Sequence, residues 1–121
     1  MLSQSSFSWE KARLPIISFK VFVPIDSRIR FLTAMQDFAR SKSFVTKVRV
    51  IHPSLPQFGV DFWNDDIAVM GENIFIPTVF DFGIYIDQTK AGAKEAARGM
   101  ADEIKQAVRD IDGVTVTITS Q

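Results

Sequence analysis

FGVDFWNDDIAVMGENIFIPTVFDFGIYID, residues 58–87, is the stretch on which the reading of the whole chain turns. Asn64-Asp65-Asp66 and Gly71-Glu72-Asn73 are clusters of turn residues. They divide the stretch into strands at 58–63, 67–70 and 74–86. In the last, Phe80, Phe82, Ile84 and Ile86 alternate with Asp81, Gly83, Tyr85 and Asp87. A period of two is that of a strand with one buried face. Pro77 has no N–H to donate, so it marks a bulge or an edge in that strand.

Upstream, FVTKVRVIH (44–52) is a further strand, with Phe44, Val48 and Val50 set against Lys47 and Arg49. HPSLPQ follows as a loop, because its two prolines remove ladder donors. IISFKVFVPI (16–25) reads as the first strand, with Ile17, Phe19, Val21 and Val23 on one face and Ser18, Lys20 and Phe22 on the other. Between these strands a helix runs to about Arg40 on the stripe Phe31, Leu32, Met35, Phe38 and Ala39. Asp26 or Ser27 can cap it, since either side chain can accept from a free N–H of the first turn. Ser41 and Ser43 break it.

Downstream, a second helix spans about Thr89 to Ile111. Ala93, Ala97, Met100, Ile104, Ala107, Val108 and Ile111 form its apolar face, and Lys94, Arg98, Asp102, Lys105 and Arg109 its polar one. Gly92 and Gly99 inside it point to close helix packing. Gly113 stands where a left-handed residue is wanted after a helix. VTVTITS (114–120) closes the chain as a strand with Val114, Val116 and Ile118 inward.

The order is therefore β-α-β-β-β-β-α-β. Helices with one apolar face and strands with one polar face predict an α+β fold, two helices on one face of a mainly antiparallel sheet. A ferredoxin-like sandwich with an elaborated central hairpin fits that order. Residues 15–121 form one domain, and residues 1–14 a loose N-terminal arm whose Phe7 and Trp9 can dock on the open sheet face.

The 121 residues include one His and no Cys, which excludes disulfides, a thiol nucleophile and a thiolate zinc site. Fourteen basic and fourteen acidic side chains cancel, so the overall basicity of a dedicated DNA binder is missing. The zero conceals a layout: residues 1–49 carry net +6, residues 50–89 carry −6 with no Lys or Arg, and residues 90–121 balance. No apolar run reaches the ~18 residues of a membrane span, and the first residues lack the apolar core of a secretory signal. The expected compartment is the cytoplasm, although a mature exported domain would have the same composition.

By strand parity, Lys20, Lys47 and Arg49 lie on the polar sheet face, where Asp61, Asp81 and Asp87 can neutralise them. Asp65, Asp66 and Glu72 have no evident local partner. With Asp61 they predict an acidic tip, with Trp63 as its aromatic anchor, and this is the candidate partner-binding site. The outer sheet face, with Lys20, Phe22, Lys47, Arg49, Asp81 and Tyr85, is the second candidate. The acids lack EF-hand spacing, so no metal or other cofactor is expected. His52 beside Pro53 is a candidate base, but GxSxG, HExxH, GxGxxG and P-loop motifs are all absent. The signature of base-stacking sheets is missing from VFDFGIYI, and Asp81 and Asp87 would repel phosphate, so nucleic acid is disfavoured.

These features favour a non-enzymatic protein-interaction module, of the toxin-neutralising or regulatory kind, whose partner is another, basic protein. One alternative is a small ferredoxin-like enzyme or ligand binder that forms a homodimer through its sheet, with His52 or Tyr85 at the pocket. Another is a single-strand nucleic-acid binder stacking bases on Phe22, Trp63 and Tyr85.

Overall fold

The structure is a computed structural model and describes residues 7–10, 12, 14–52 and 56–120. Half of the HPSLPQ loop (53–55), much of the N-terminal arm and the side chain of His52 lie outside the described residues.

Six strands form one sheet: β1 (Ile17–Phe22), β2 (Val45–His52), β3 (Gln57–Trp63), β4 (Ile67–Ile76), β5 (Val79–Ile86) and β6 (Thr115–Ser120). Helix α1 (Arg28–Ser41) joins β1 to β2, and α2 (Ala93–Val108) joins β5 to β6. The spatial order is β2-β3-β4-β5-β1-β6, and every neighbouring pair is antiparallel. β2 to β5 form a meander of hairpins. The α1 connection carries β2 to the far edge, which leaves room for β3, β4 and β5 between β2 and β1. α2 returns the chain so that β6 pairs with the other side of β1.

Both helices pack on one face, α1 over β2 and β3, α2 over β1, β5 and β6. Strand parity explains the core between them. Ile17, Phe19 and Val21 of β1 point inward with Phe80, Phe82 and Ile84 of β5 and Val60 and Phe62 of β3, all buried. Most of the aromatic mass of the chain is spent here. The Phe19 and Phe82 rings stack 5.0 Å apart, Phe31 of α1 meets Phe80 at 5.0 Å, and Phe44 meets Phe62 at 5.1 Å. Among the described residues, no helix is long and apolar enough to cross a membrane.

Several expectations need correction. β4 runs through Gly71-Glu72-Asn73, and the turn falls later, at Pro77-Thr78, so the strand expected at 74–86 splits in two. Gly71 is there for space: a Cβ would run into the Phe82 ring across the sheet. Asn73 is wholly buried. Its carbonyl accepts from the Phe58 N–H (2.5 Å), and its amide donates to the Pro56 and Pro77 carbonyls (2.9 Å each). It fills a register break in β4 between Glu72 and Ile76, so turn chemistry is here used to close a bulge.

Neither Asp26 nor Ser27 caps α1. A 3-10 turn, Ile25–Ser27, precedes the helix, and the Ser27 hydroxyl donates instead to the Asp112 carbonyl at 2.8 Å. A tertiary hydrogen bond has displaced the local one. α2 is shorter than expected, because Gly92 is left-handed (φ 78°) and starts the helix rather than lying inside it. Gly99 faces open space, not a neighbouring helix. Ala107 is exposed, and Ala101 takes its place in the buried stripe.

Candidate functional site

The face of the sheet turned away from the helices carries the residues singled out by parity. Register aligns them in rows. Lys47 lies opposite Asp61, which lies opposite Met70. In the next row come Arg49, Gly59, Glu72, Asp81 and Lys20. Trp63, Ala68 and Tyr85 form a third.

Arg49 is the hub. Its Nε and Nη2 donate to the two Asp61 oxygens at 2.6 and 3.1 Å, and its Nη1 reaches Glu72 Oε2 at 3.4 Å. The guanidinium lies flat across Gly59, where a Cβ would collide with it. A glycine inside a strand, read as an allowance for close approach, is the signal that could have located this arrangement. Asp61 is buried, with 5 % of its side chain accessible, so the bidentate pair is what permits a carboxylate there. The hydrogen bond to Asp61 raises the Arg49 pKa against the opposing effect of burial, aided by the charges of Asp61 and Glu72.

Glu72 and Asp81 face each other across strands, a repulsive pair taken alone. Each is held by a cation on its far side: Arg49 for Glu72, and Lys20 for Asp81 at 2.6 Å. Most of the expected neutralisation therefore occurs, with the partners changed. Asp61 binds Arg49 rather than the Lys47 directly opposite. Glu72 does have a partner, contrary to the expectation.

The acidic tip is therefore smaller than expected and differently composed. Asn64 makes the β3–β4 turn, its Oδ1 accepting from Asp66 N and Ile67 N. Asp65 and Asp66 project from that turn, and Asp66 lies 3.7 Å from Lys90 with both side chains largely exposed. They share a concavity with Asp87, Lys90, Phe7 and Ser8. Asp87 was expected on the polar sheet face, yet it caps the next turn, its Oδ1 accepting from Thr89 N and Oγ1. Asp61 and Glu72 belong to the Arg49 network instead.

The described part of the N-terminal arm lies over this face. The Trp9 ring sits edge-on to Tyr85 at 5.1 Å, and Phe7 edge-on to Trp9 at 5.0 Å. A cleft of about 230 Å³ is lined by the rings of Phe7, Trp9 and Trp63 and by the charged side chains of Lys47, Arg49 and Asp61. A wider, open groove of about 630 Å³ runs along the other flank of Trp9, past Lys20, Glu72, Asp81 and Tyr85. Burial raises the Tyr85 pKa, and the negative charges of Glu72 and Asp61 add to the shift. Phe22 is on the same face, opposite Val79 and half-exposed. Among the described residues, no three His, Cys, Asp or Glu side chains converge as a metal site would require. No protein-family model matches this chain, and no curated protein matches it.

Proposed function

We propose that this chain is a non-enzymatic protein-interaction module, of the toxin-neutralising or regulatory kind, that engages a basic protein through the acidic end of its outer sheet face. The observation that carries the reading is the meeting of two elements at that end. Asp65, Asp66 and Asp87 line one concavity, and the aromatic cleft of Phe7, Trp9 and Trp63 adjoins it. Charge steers encounter, and a side chain inserted among aromatics holds the complex. Near neutral pH Arg49 is a cation and Tyr85 a hydrogen-bond donor, both available to a partner on this face.

The architecture is consistent with a ferredoxin-like sandwich widened by two extra strands. A Cys-free chain suits a reducing cytoplasm. The 630 Å³ groove favours a second reading, a ligand-binding protein that uses Tyr85 as donor or pairs two copies over that groove. Nucleic acid is the weakest of the three, since Glu72 and Asp81 line the same groove.

The test is capture from source cells with the wild-type chain, Asp65→Lys/Asp66→Lys and Trp63→Ala. One partner retained by the wild type and lost from both variants is the expected result. Unchanged capture by both variants refutes the acidic end as the binding surface.

A further inference from the structure

The two edges of the sheet are built differently. β2 carries Lys47 and Arg49, and its pairing is interrupted between Val50 and His52. Charges and bulges are how exposed edges are kept from pairing with foreign strands. β6 has no such charge along its run VTVTITSQ (114–121), which contains no charged residue and no Pro, and its one register shift falls at its far end, between Ile118 and Ser120. Among the described residues, β6 pairs with β1 alone. Its Val116 and Ile118 point to the helix side yet stay only half-buried, while Phe19 and Val21 beside them on β1 are fully covered. The core is less completely covered at this edge than beneath β1.

A groove runs between β6 and α2. A concavity of about 250 Å³ there is lined by Val108, Val114, Thr115 and Val116, with Lys105 and Arg109 on its rim. The rim is part of a longer feature. At about 100° per residue, Lys94, Arg98, Lys105 and Arg109 lie within about 60° of one another, a largely basic strip bordered by Asp102 about 20° beyond Arg109. Arg109 also pairs with Asp110 at 3.8 Å, and Lys105 and Arg109 are the members beside β6. Glu103 points to the other side, toward α1, where it pairs with Lys42 at 2.8 Å.

We propose that the β6 edge and the basic flank of α2 form a strand-addition site for an extended acidic segment of a partner protein. The segment would hydrogen-bond to the outward N–H and C=O groups of β6. Alternate apolar side chains would enter the Val108–Val116 groove, and its carboxylates would meet Lys105 and Arg109. Charge decides the occupant. Pairing β6 with β6 of a second copy would bring two basic stripes together, whereas an acidic strand is complementary. This site is separate from the acidic end, and its partner has the opposite charge.

The probe is a short, end-capped, fluorescein-labelled peptide alternating Glu and Val, titrated against the full chain by anisotropy. Its counterpart alternates Lys and Val. The Glu–Val peptide should bind roughly tenfold more tightly than the Lys–Val peptide. Binding should also slow amide hydrogen exchange in residues 115–120. Lys105→Glu/Arg109→Glu, on exposed side chains, should reverse the preference, and Asp65→Lys/Asp66→Lys should leave it unchanged. Several results overturn the proposal: no binding, equal affinity for both peptides, or Glu–Val binding without protection of β6. Equal binding of single-stranded DNA overturns it in favour of a general anion surface. Protection of β6 by self-association alone overturns it in favour of a dimer.

Discussion

At the scale of single residues, the ion pairs of the outer face differ widely in weight, and burial is the reason. Asp61 is enclosed and depends on Arg49, while Lys20 and Asp81 keep 54 % and 38 % of their side chains in contact with water. Arg49→Met should cost roughly 3 kcal/mol in chemical denaturation, because it leaves a buried carboxylate alone. Arg49→Met/Asp61→Leu should recover much of that loss. Lys20→Ala should cost less than about 1 kcal/mol. Tyr85 is the only tyrosine, so its ultraviolet titration is unambiguous. Its midpoint should lie above the ordinary 10.0. Trp9→Ala, which uncovers the ring, should bring it back toward that value, and Glu72→Gln should lower it less, since burial is the larger cause. A folded pKa above the unfolded one means that the fold favours the neutral phenol. That contribution to stability is complete below 10.0 and is lost as the pH rises from there through the folded pKa.

At the scale of elements, β4 is the most instructive. Gly71, Glu72 and Asn73 have the composition of a turn, and nothing local distinguishes them from one. What decides is across the sheet: the Phe82 ring occupies the space over Gly71, and three backbone groups converge on the Asn73 amide. Asn73→Leu should therefore cost roughly 2–4 kcal/mol, seen as a lower denaturation midpoint, because it leaves buried backbone groups without partners. An unchanged midpoint would mean that the bulge needs no side-chain support. The helices show the reverse case. The α1 stripe was legible because Phe31, Leu32, Met35 and Ala39 recur at helical spacing and all are buried. Its capping was not legible, since the Ser27 hydroxyl is claimed by Asp112, 85 positions away.

At the scale of the whole molecule, the +6 and −6 segments become neighbouring strands, and much of the segregation disappears into pairs. What survives is local: an acidic end at the β3–β4 turn and a basic flank along α2. Exposed charges of this kind contribute little to the stability of a fold. Asp65→Lys/Asp66→Lys should accordingly change stability by less than about 1 kcal/mol while altering capture. A large loss of stability would assign those acids to the fold instead.

The residues in their linear order determined the number and kind of elements, the inward faces of β1 and β5, and the antiparallel, one-sided architecture; Val50, read as inward on β2, is exposed. Alternation and helical spacing are local properties that any such chain carries with it. Tertiary structure alone decided where β4 turns, which carboxylate meets Arg49, and which strands form the two sheet edges. Those outcomes depend on register and on contacts between residues far apart in sequence. There the space over a glycine and the burial of a carboxylate outweigh local preference.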